Sequence, residues 1–517
     1  VSRRKPEVLD WDEPRELTPH ASLRCVPLQR GSRLQDKDPP KEANIKLRYD
    51  KGTLLLSGMA EFDLNAHHAF RASGFRFDER VKLLRAPAYC YRRTIERIAT
   101  LDSPIQNFVF SANTTHPLQA QLDLLSSDKI KLRCYQQAAL DSWRSNGKKG
   151  IVVLPTGSGK TILAAATIAE CAVTALCVVP TLVLLHQWAA QLEKVFGGQN
   201  VGIFGEGIQR HGRIAVATYA TALRQAEKLG NQYQLVIIDE AHHFGDNKYD
   251  EILVMSAAPY RLALTATLPE STLQLARLQK LVGTTVFNCV ASDLVGSFLS
   301  SYEHMVFPVN LQPEEKRKFE LLRKQYTNGC KAFRAKGLAP VSMNLRKTPT
   351  GRQAITARSS AARILNTCGR KIQKISELLS NFRGAKALVF MGSVEAAIEI
   401  SAKLLIPVIT GEIPKNERNF VLDQFRKGNI NTIVTCQVLN EGFDLPATDL
   451  VIIAGGSKGK TELKQRIGRA LRLKEQKSAC IVELVSAGTY EMQRALKPLS
   501  GFLNPRLTRS IRGIHGN

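Results

Sequence analysis

The chain has 517 residues, 44% of them hydrophobic and 23% charged, enough for about three to four domains with buried cores. Its net charge of +26 favours a polyanionic partner, nucleic acid first. No apolar run reaches the ~20 residues needed to cross a bilayer, no apolar signal core follows Arg3-Arg4-Lys5, and the ten cysteines show neither a CxxC pair nor metal-ligand spacing. These features argue against a membrane protein, a secreted disulfide scaffold and a zinc protein, and for a cytoplasmic location with reduced, buried thiols such as Cys177 and Cys436.

Residues 1–42 are rich in Pro, Arg, Asp and Glu without periodicity and read as a flexible leader. A small α+β domain is expected over 43–125. Ile45–Tyr49, an Asp50-Lys51-Gly52 turn and Thr53–Ser57 form a hairpin signature, Gly74–Asp78 and Leu83–Arg85 a second strand pair, and Tyr89–Leu101 a helix. Arg48, Tyr49, Phe75, Arg76, Phe77, Arg85, Tyr89, Tyr91, Arg92 and Arg93 interleave base and ring. Such a mixture suits DNA contact, and equally the core of a domain this small.

From 126 to 290 the pattern is repeated strand and helix, hence a parallel sheet covered on both faces. Ile151–Leu154 is a continuous apolar run, as in a strand buried on both sides. Pro155-Thr156-Gly157-Ser158-Gly159 breaks it, and Lys160-Thr161 opens a helix. Strand, glycine-rich loop and helix make a phosphate cradle: backbone N–H groups turn toward the anion, Lys160 reaches the β and γ phosphates of ATP, and the Thr161 hydroxyl holds Mg²⁺. Upstream, Tyr135 and Gln136 suit stacking on and hydrogen bonding to adenine, with Arg133 nearby. Ala175–Val179 and Ile214–Thr218 are further core strands, and Thr181 and Thr218 after them are placed either to touch a nucleic-acid backbone or to cap helices. Gln234–Ile238 ends in Asp239-Glu240-Ala241-His242. Asp239 suits the Mg²⁺ shell and Glu240 the proton of an attacking water. Arg261–Thr267 is a fifth strand whose threonine hydroxyls can bond the Asp-Glu-Ala-His segment.

Residues 291–370 read as a connector and a basic helical, thumb-like element. Glu314–Gln325 and Arg352–Leu365 are helical, and Pro313–Arg363 carries 13 Lys/Arg against 3 Asp/Glu. Lys316, Arg317, Lys331 and Arg334 are candidates to grip phosphate. A second parallel-sheet domain is expected over 371–490, with strands at Ala387–Met391, Val408–Gly411, Thr432–Thr435, Leu450–Ala454 and Ala479–Leu484 and no phosphate loop of its own. It carries Glu441-Gly442-Phe443-Asp444 after a strand and Gln465-Arg466-Ile467-Gly468-Arg469-Ala470-Leu471-Arg472 on a helix. Gln465, Arg469 and Arg472 lie at i, i+4 and i+7 on one helical face. Arg469 and Arg472 are candidate arginine fingers for the ATP site of the other domain. Residues 491–517 form a basic tail.

LPTGSGKT, DEAH, TAT, EGFD and QRIGRALR, in this order, resemble the motor core of superfamily 2 helicases over roughly 130–490. LRYDKGTLLLSG, FRFDERVKLLRAPAYCYRRTIERI and the basic insert ending RQAITARSSAARILNTCGRKIQKISELL resemble, more narrowly, the XPB group in its short archaeal and bacterial form. The resemblance implies two tandem RecA-like domains, a damage-recognition-like domain, a thumb-bearing insert, and an ATP-driven DNA translocase or helicase, usually 3′ to 5′, acting in repair or transcription. It implies an ATPase site of Lys160, Thr161, Asp239, Glu240, Gln465, Arg469 and Arg472, with Thr156, Gly157, Ser158, Gly159, Gly442 and Asp444 around the nucleotide, Gln136 at adenine, and Thr181, Thr218 and Thr435 along the strand path. One stretch departs. Where the group has Arg-Glu-Asp after TAT, this chain has Leu268-Pro-Glu-Ser-Thr272, which leaves open both a helicase and a translocase with weak strand separation. Two other functions carry the same core motifs: the motor of a restriction or phage-defence complex with a separate nuclease partner, and an ATP-switched DNA-binding module.

Overall fold

The computed structural model describes residues 45–57, 70–71, 73–99, 105–110, 130–290, 293, 302–334, 345–436, 448–455, 479–496 and 506–507. The leader at 1–42 and the EGFD and QRIGRALR segments lie outside them.

The first domain is a five-stranded sheet in the order β3-β4-β2-β1-β5, made of β1 (Ile45–Asp50), β2 (Thr53–Ser57), β3 (Arg76–Asp78), β4 (Leu83–Pro87) and β5 (Ile105–Phe108). Helix α1 (Tyr91–Ile98) follows β4. The β1–β2 hairpin turns at Lys51-Gly52, both at positive φ, with Asp50 opposite Thr53. Its core is Leu47, Leu54, Leu56, Phe70, Phe75 and Leu84, with Tyr49, Tyr89 and Tyr91 packed against it; Arg48, Arg76 and Arg93 are exposed, and four of the five rings serve the core. Phe77 is the exception at 55% exposed. Strand β5, which the sequence pattern does not show, pairs parallel to β1. The domain docks on the next one through polar contacts: Tyr49 Oη donates to the carbonyls of Glu227 (2.9 Å) and Met255 (3.1 Å), Asn231 Nδ2 donates to the Val109 carbonyl (3.1 Å), and Arg92 donates to the Gly147 carbonyl.

The second domain opens with α2 (Cys134–Ser145), then β6 (Lys149–Val153), α3 (Lys160–Cys171), β7 (Ala175–Val179), α4 (Leu182–Phe196), β8 (Val201–Gly205), β9 (Ile208–Arg210) and β10 (Ile214–Thr218). It continues with α5 (Tyr219–Arg224), β11 (Leu235–Ile238), β12 (Tyr260–Thr265), α6 (Thr272–Val282) and β13 (Thr285–Asn288). The eight strands run β13-β6-β12-β11-β7-β10-β8-β9, all parallel except the β8–β9 hairpin. Strands β7, β10 and β11 are buried at every residue, as their unbroken apolar runs predict. One buried cation is not legible from those runs. Arg261 on β12 is 2% exposed and donates to the carbonyls of Ala258, Leu253, Leu281 and Ser256. These bonds tie the sheet to the turn that receives the first domain.

The third part corrects one boundary. The stretch expected as connector contains β14 (Tyr302–Val309), an eight-residue strand of the second parallel sheet, paired along its length with the strand at Ala479–Ser486. Its alternating charges at Glu303 and His304 mask it in a sequence scan. Two helices follow, α7 (Pro313–Arg334) and α8 (Pro349–Thr367). Both are longer than expected. They run antiparallel: Phe319 packs with Ala361 and Leu365, and Gly329 meets Ala354, where an added Cβ would lie 2.6 Å from the alanine methyl. The sheet is completed by α9 (Gly369–Asn381), β15 (Ala387–Met391), α10 (Val394–Leu404), β16 (Val408–Ile409), α11 (Lys415–Lys427), β17 (Thr432–Cys436), β18 (Leu450–Ile453), β19 (Ala479–Ser486), α12 (Tyr490–Ala495) and β20 (Arg506–Leu507). Its order is β16-β17-β15-β18-β19-β14-β20, so the helical pair is an insertion within this domain, and part of the expected tail closes the sheet's edge.

Candidate active site at the edge of the first parallel sheet

Parallel strands deliver their following loops to one edge. Here that edge carries Pro155–Gly159 after β6, Thr265–Thr267 after β12, Asp239–His242 after β11, Thr181 after β7 and Thr218 after β10. The loop after β6 turns through positive φ at Gly157 (+85°) and Gly159 (+79°). A Cβ at 159 would sit 2.6 Å from Gln136 Nε2, so glycine is required there on two grounds. Ser158 is buried, its hydroxyl donating to the Pro155 carbonyl at 2.7 Å. Thr156 and Thr161 are half-buried at the loop mouth and in the first turn of α3.

Gln136 and Tyr135 brace this loop. Gln136 is 1% exposed; its Nε2 donates to the carbonyls of Ser158 (2.8 Å) and Gly159 (3.3 Å), and its Oε1 accepts from the Arg133 N–H (2.8 Å). Tyr135 is buried and its Oη donates to the same Ser158 carbonyl at 2.7 Å. Both side chains expected at adenine are therefore engaged with the cradle itself.

The central contact is between the two catalytic candidates. Lys160 Nζ lies 3.2 Å from Glu240 Oε1, with the two side chains 11% and 12% exposed. Glu240 sits at φ +50°, ψ +49°, a left-handed conformation that costs a non-glycine residue about 1–2 kcal/mol. Burial alone would raise its pKa; Lys160 and His242 overcome that and hold the carboxyl below its usual range. Asp239 behaves oppositely. Burial, then the neighbouring Glu240 charge, push it up to about 7 despite Lys160 and the Glu240 N–H bonded to its Oδ1 at 3.0 Å. Glu240 Oε2 accepts no hydrogen bond and lies 3.5 Å from His242 Nδ1. Two buried carboxylates short of positive charge fit a divalent cation, with Asp239 and Thr161 as the residues to hold it.

The Asp-Glu-Ala-His segment is tied down at its backbone. Tyr219 Oη donates to the carbonyls of Asp239 and, at 3.1 Å, Glu240. Gln274 Nε2 donates to those of His242 (3.0 Å) and Phe244 (2.8 Å). His242 Nδ1 is 3.2 Å from Thr265 Oγ1, which donates to the Thr267 carbonyl at 2.7 Å, so the expected link from the TAT strand to the DEAH turn is present. Sequence reasoning does not find Tyr219 and Gln274, because neither belongs to a recognisable motif. The stretch in place of Arg-Glu-Asp leads into α6, with Ser271 at the cap accepting from the Gln274 N–H.

The threonines expected along a strand path divide. Thr181 caps α4, accepting from the Leu184 N–H at 3.3 Å, and Thr218 caps α5, accepting from the Thr221 N–H at 3.3 Å. Thr435 is fully buried and donates to the Ile409 carbonyl at 3.0 Å. Lys316, Arg317 and Lys331 are exposed on α7, which also carries Arg334. Arg317, Lys324 and Lys331, seven residues apart, form one exposed stripe opposite the Phe319 seam. Gln465, Arg469, Arg472, Gly442 and Asp444 lie outside the described residues. Among the described residues no helix is long and apolar enough to cross a membrane.

A glycine-rich cradle, a paired lysine and glutamate, and a second parallel-sheet domain define a two-lobed nucleotide-driven motor of the helicase type. Three family matches divide the chain: the Xeroderma pigmentosum group B helicase damage recognition domain at 47–106, the type III restriction enzyme res subunit at 129–270, and the helicase conserved C-terminal domain at 370–474. The chain is 33% identical to the DNA 3'-5' translocase XPB2 of Sulfurisphaera tokodaii, over 87% of this chain and 99% of that one. It is 26% identical to the DNA 3'-5' helicase XPB of Mycobacterium tuberculosis, over 72% of this chain and 62% of that protein. It spans about half of a Saccharomyces cerevisiae relative, the general transcription and DNA repair factor IIH helicase/translocase subunit XPB/SSL2, which is 26% identical. Among solved structures, S. cerevisiae Dbp5 bound to RNA and ADP BeF3 matches at TM-score 0.53 and 15% identity, over 77% of this chain and 94% of that one, a likeness of fold. The chain belongs to the XPB family of helicases.

Proposed function

We propose that this protein is a DNA-dependent ATPase that moves along, and weakly opens, DNA in the 3′ to 5′ direction named for its relatives, in repair or transcription. The observation that carries the reading is the Lys160–Glu240 pair beside buried Asp239. The lysine that would hold a phosphate here neutralises the glutamate that would act as base. In this reading the γ-phosphate draws Lys160 away, and Glu240, already turned toward the pocket by its left-handed backbone, is freed to take a proton from water. A divalent cation held by Asp239 and Thr161 supplies charge neutralisation at the phosphates. Arg469 and Arg472 of the second lobe enter when the lobes close, and reopening after hydrolysis resets the grip on DNA. The exposed cations of α7 hold backbone phosphate during the step. The stretch Leu268–Thr272, which leads into the serine-capped α6, carries Glu270 alone and offers no cluster of charge for prising strands, which favours translocation over strong unwinding.

The test compares ATP turnover with single-stranded DNA, duplex, fork and RNA, in the wild type, Lys160→Ala and Arg469→Ala. Stimulation by DNA above RNA is expected, with turnover lost in both variants and nucleotide binding kept only in Arg469→Ala. Equal loss of nucleotide affinity in both variants refutes the finger role, and a slow, DNA-indifferent turnover favours an ATP-switched binding module.

A further inference from the structure

Resting on the DNA-dependent ATPase reading, we propose that Tyr219 and Gln274 transmit the state of the DNA-facing edge to the catalytic carboxylates. Three backbone carbonyls of the Asp-Glu-Ala-His segment, those of Asp239, Glu240 and His242, and that of Phe244 just after it accept hydrogen bonds from these two side chains. Neither donor belongs to the turn. Tyr219 directly follows Thr218, the buried residue that ends β10 and caps α5 at the sheet edge where the loops of the site gather. Gln274 lies in the first turn of α6, seven residues after Thr267.

The geometry makes this bracket stiff. The Tyr219 ring is 3% exposed and is walled by Phe244 (centroids 5.1 Å apart, 81° between planes) and Tyr249 (4.9 Å, 55°). The ring cannot swing without its backbone, so a displacement of Thr218 moves the hydroxyl and, through it, the peptide that carries Glu240. Gln274 is held as tightly: a Cβ on Gly245 would lie 2.2 Å from the Gln274 carbonyl oxygen. What the bracket holds is a strained, paired carboxylate. Glu240 sits at φ +50° with its charge on Lys160, and a shift of its peptide alters the 3.2 Å contact directly. In this reading, DNA held along the loops after β10 reaches Glu240 through the bracket and loosens its pairing with Lys160. The two residues are positioning groups; neither touches the reacting atoms.

The experiment measures, for the full chain, the ratio of DNA-stimulated to basal ATP turnover, DNA affinity and KM for ATP. The variants are Tyr219→Phe, which keeps the ring, and Gln274→Met, which keeps the length, each removing the polar group that donates to the turn. The control is Tyr233→Phe, a 4%-exposed tyrosine of the same domain whose hydroxyl bonds the Gly212 carbonyl. The stimulation ratio is expected to fall about tenfold in each bracket variant, equivalent to about 1.4 kcal/mol of barrier, with DNA affinity and KM retained. The control keeps the wild-type ratio. A wild-type ratio in Tyr219→Phe overturns the proposal, as does an equal fall of basal and stimulated rates, which would make the bracket a static support. A wild-type protein that DNA does not stimulate at all refutes the functional reading instead.

Discussion

Replacing Glu240 with glutamine separates two roles that the structure gives one carboxylate. Glu240 is the counter-ion of Lys160 at 3.2 Å, in a site where both side chains are about one-tenth exposed. At that separation and an effective dielectric of about 20, the attraction is about 5 kcal/mol before desolvation. The net worth of a hydrogen bond to a charged group is smaller, about 1.5–3 kcal/mol. Nucleotide binding has to overcome this contact, because the ammonium cannot serve the glutamate and a phosphate together. The amide side chain keeps the hydrogen bond and loses the charge. We therefore expect Glu240→Gln to bind a non-hydrolysable ATP analogue about tenfold more tightly, worth about 1.4 kcal/mol, while hydrolysis falls by about 10²–10⁴ for want of a base. Fluorescence titration reads the first effect and rapid-quench single turnover the second. Unchanged or weaker analogue binding, alongside lost hydrolysis, would falsify the competition: Glu240 would still be the base, but Lys160 would not be held back by it.

Three further outcomes follow from other parts of the chain. Asp239 has a folded pKa of about 7 against an ordinary 3.8, so the folded state keeps a proton that the unfolded state loses. Its contribution to stability therefore falls as pH rises from about 4 to about 7 and is level above. Because Mg²⁺ competes with that proton, metal affinity measured calorimetrically at about pH 6, 7 and 8 should rise up to about tenfold per unit below 7 and flatten beyond it, and Asp239→Asn should remove the slope. Replacing Lys316, Arg317, Lys324 and Lys331 with glutamine should lower the slope of log affinity against log salt by about 0.7 for each phosphate no longer neutralised on single strands; an unchanged slope refutes the thumb's grip. Lys371 is fully buried, its Nζ 2.8 Å from Glu491 Oε2 and 3.1 Å from the Ala454 carbonyl, joining α9, the end of β18 and α12. Lys371→Met should cost about 3–5 kcal/mol in denaturant unfolding, and Lys371→Met combined with Glu491→Gln should recover part of it.

Much of the site is legible in the chain because its chemistry is local. A phosphate cradle needs an apolar strand, glycines at positive φ and a lysine at a helix start, all within twelve residues, and Gly150–Thr161 supplies them. Asp239 and Glu240 are legible for the same reason, as carboxylates ending a buried strand. Gln136 is identifiable as a residue of this site, but its position relative to the cradle depends on how α2 packs, and packing sets it under the loop. Strand β14 escapes detection for a related reason. Its partner, β19, is more than 170 residues further on, and pairing between such distant segments leaves no periodic trace when the strand itself is mixed in polarity.

Sequence alone determined the class of machine: two parallel-sheet lobes, one phosphate cradle, a basic helical insert and the candidate residues for ATP. Tertiary structure decided which of those residues face one another. The Lys160–Glu240 contact joins side chains 80 positions apart, and the Tyr219 and Gln274 bonds reach back to the DEAH turn from two other elements. The physical reason is the sheet itself: strand order β6-β12-β11-β7-β10 is not chain order, and it brings to one edge loops that the chain keeps far apart.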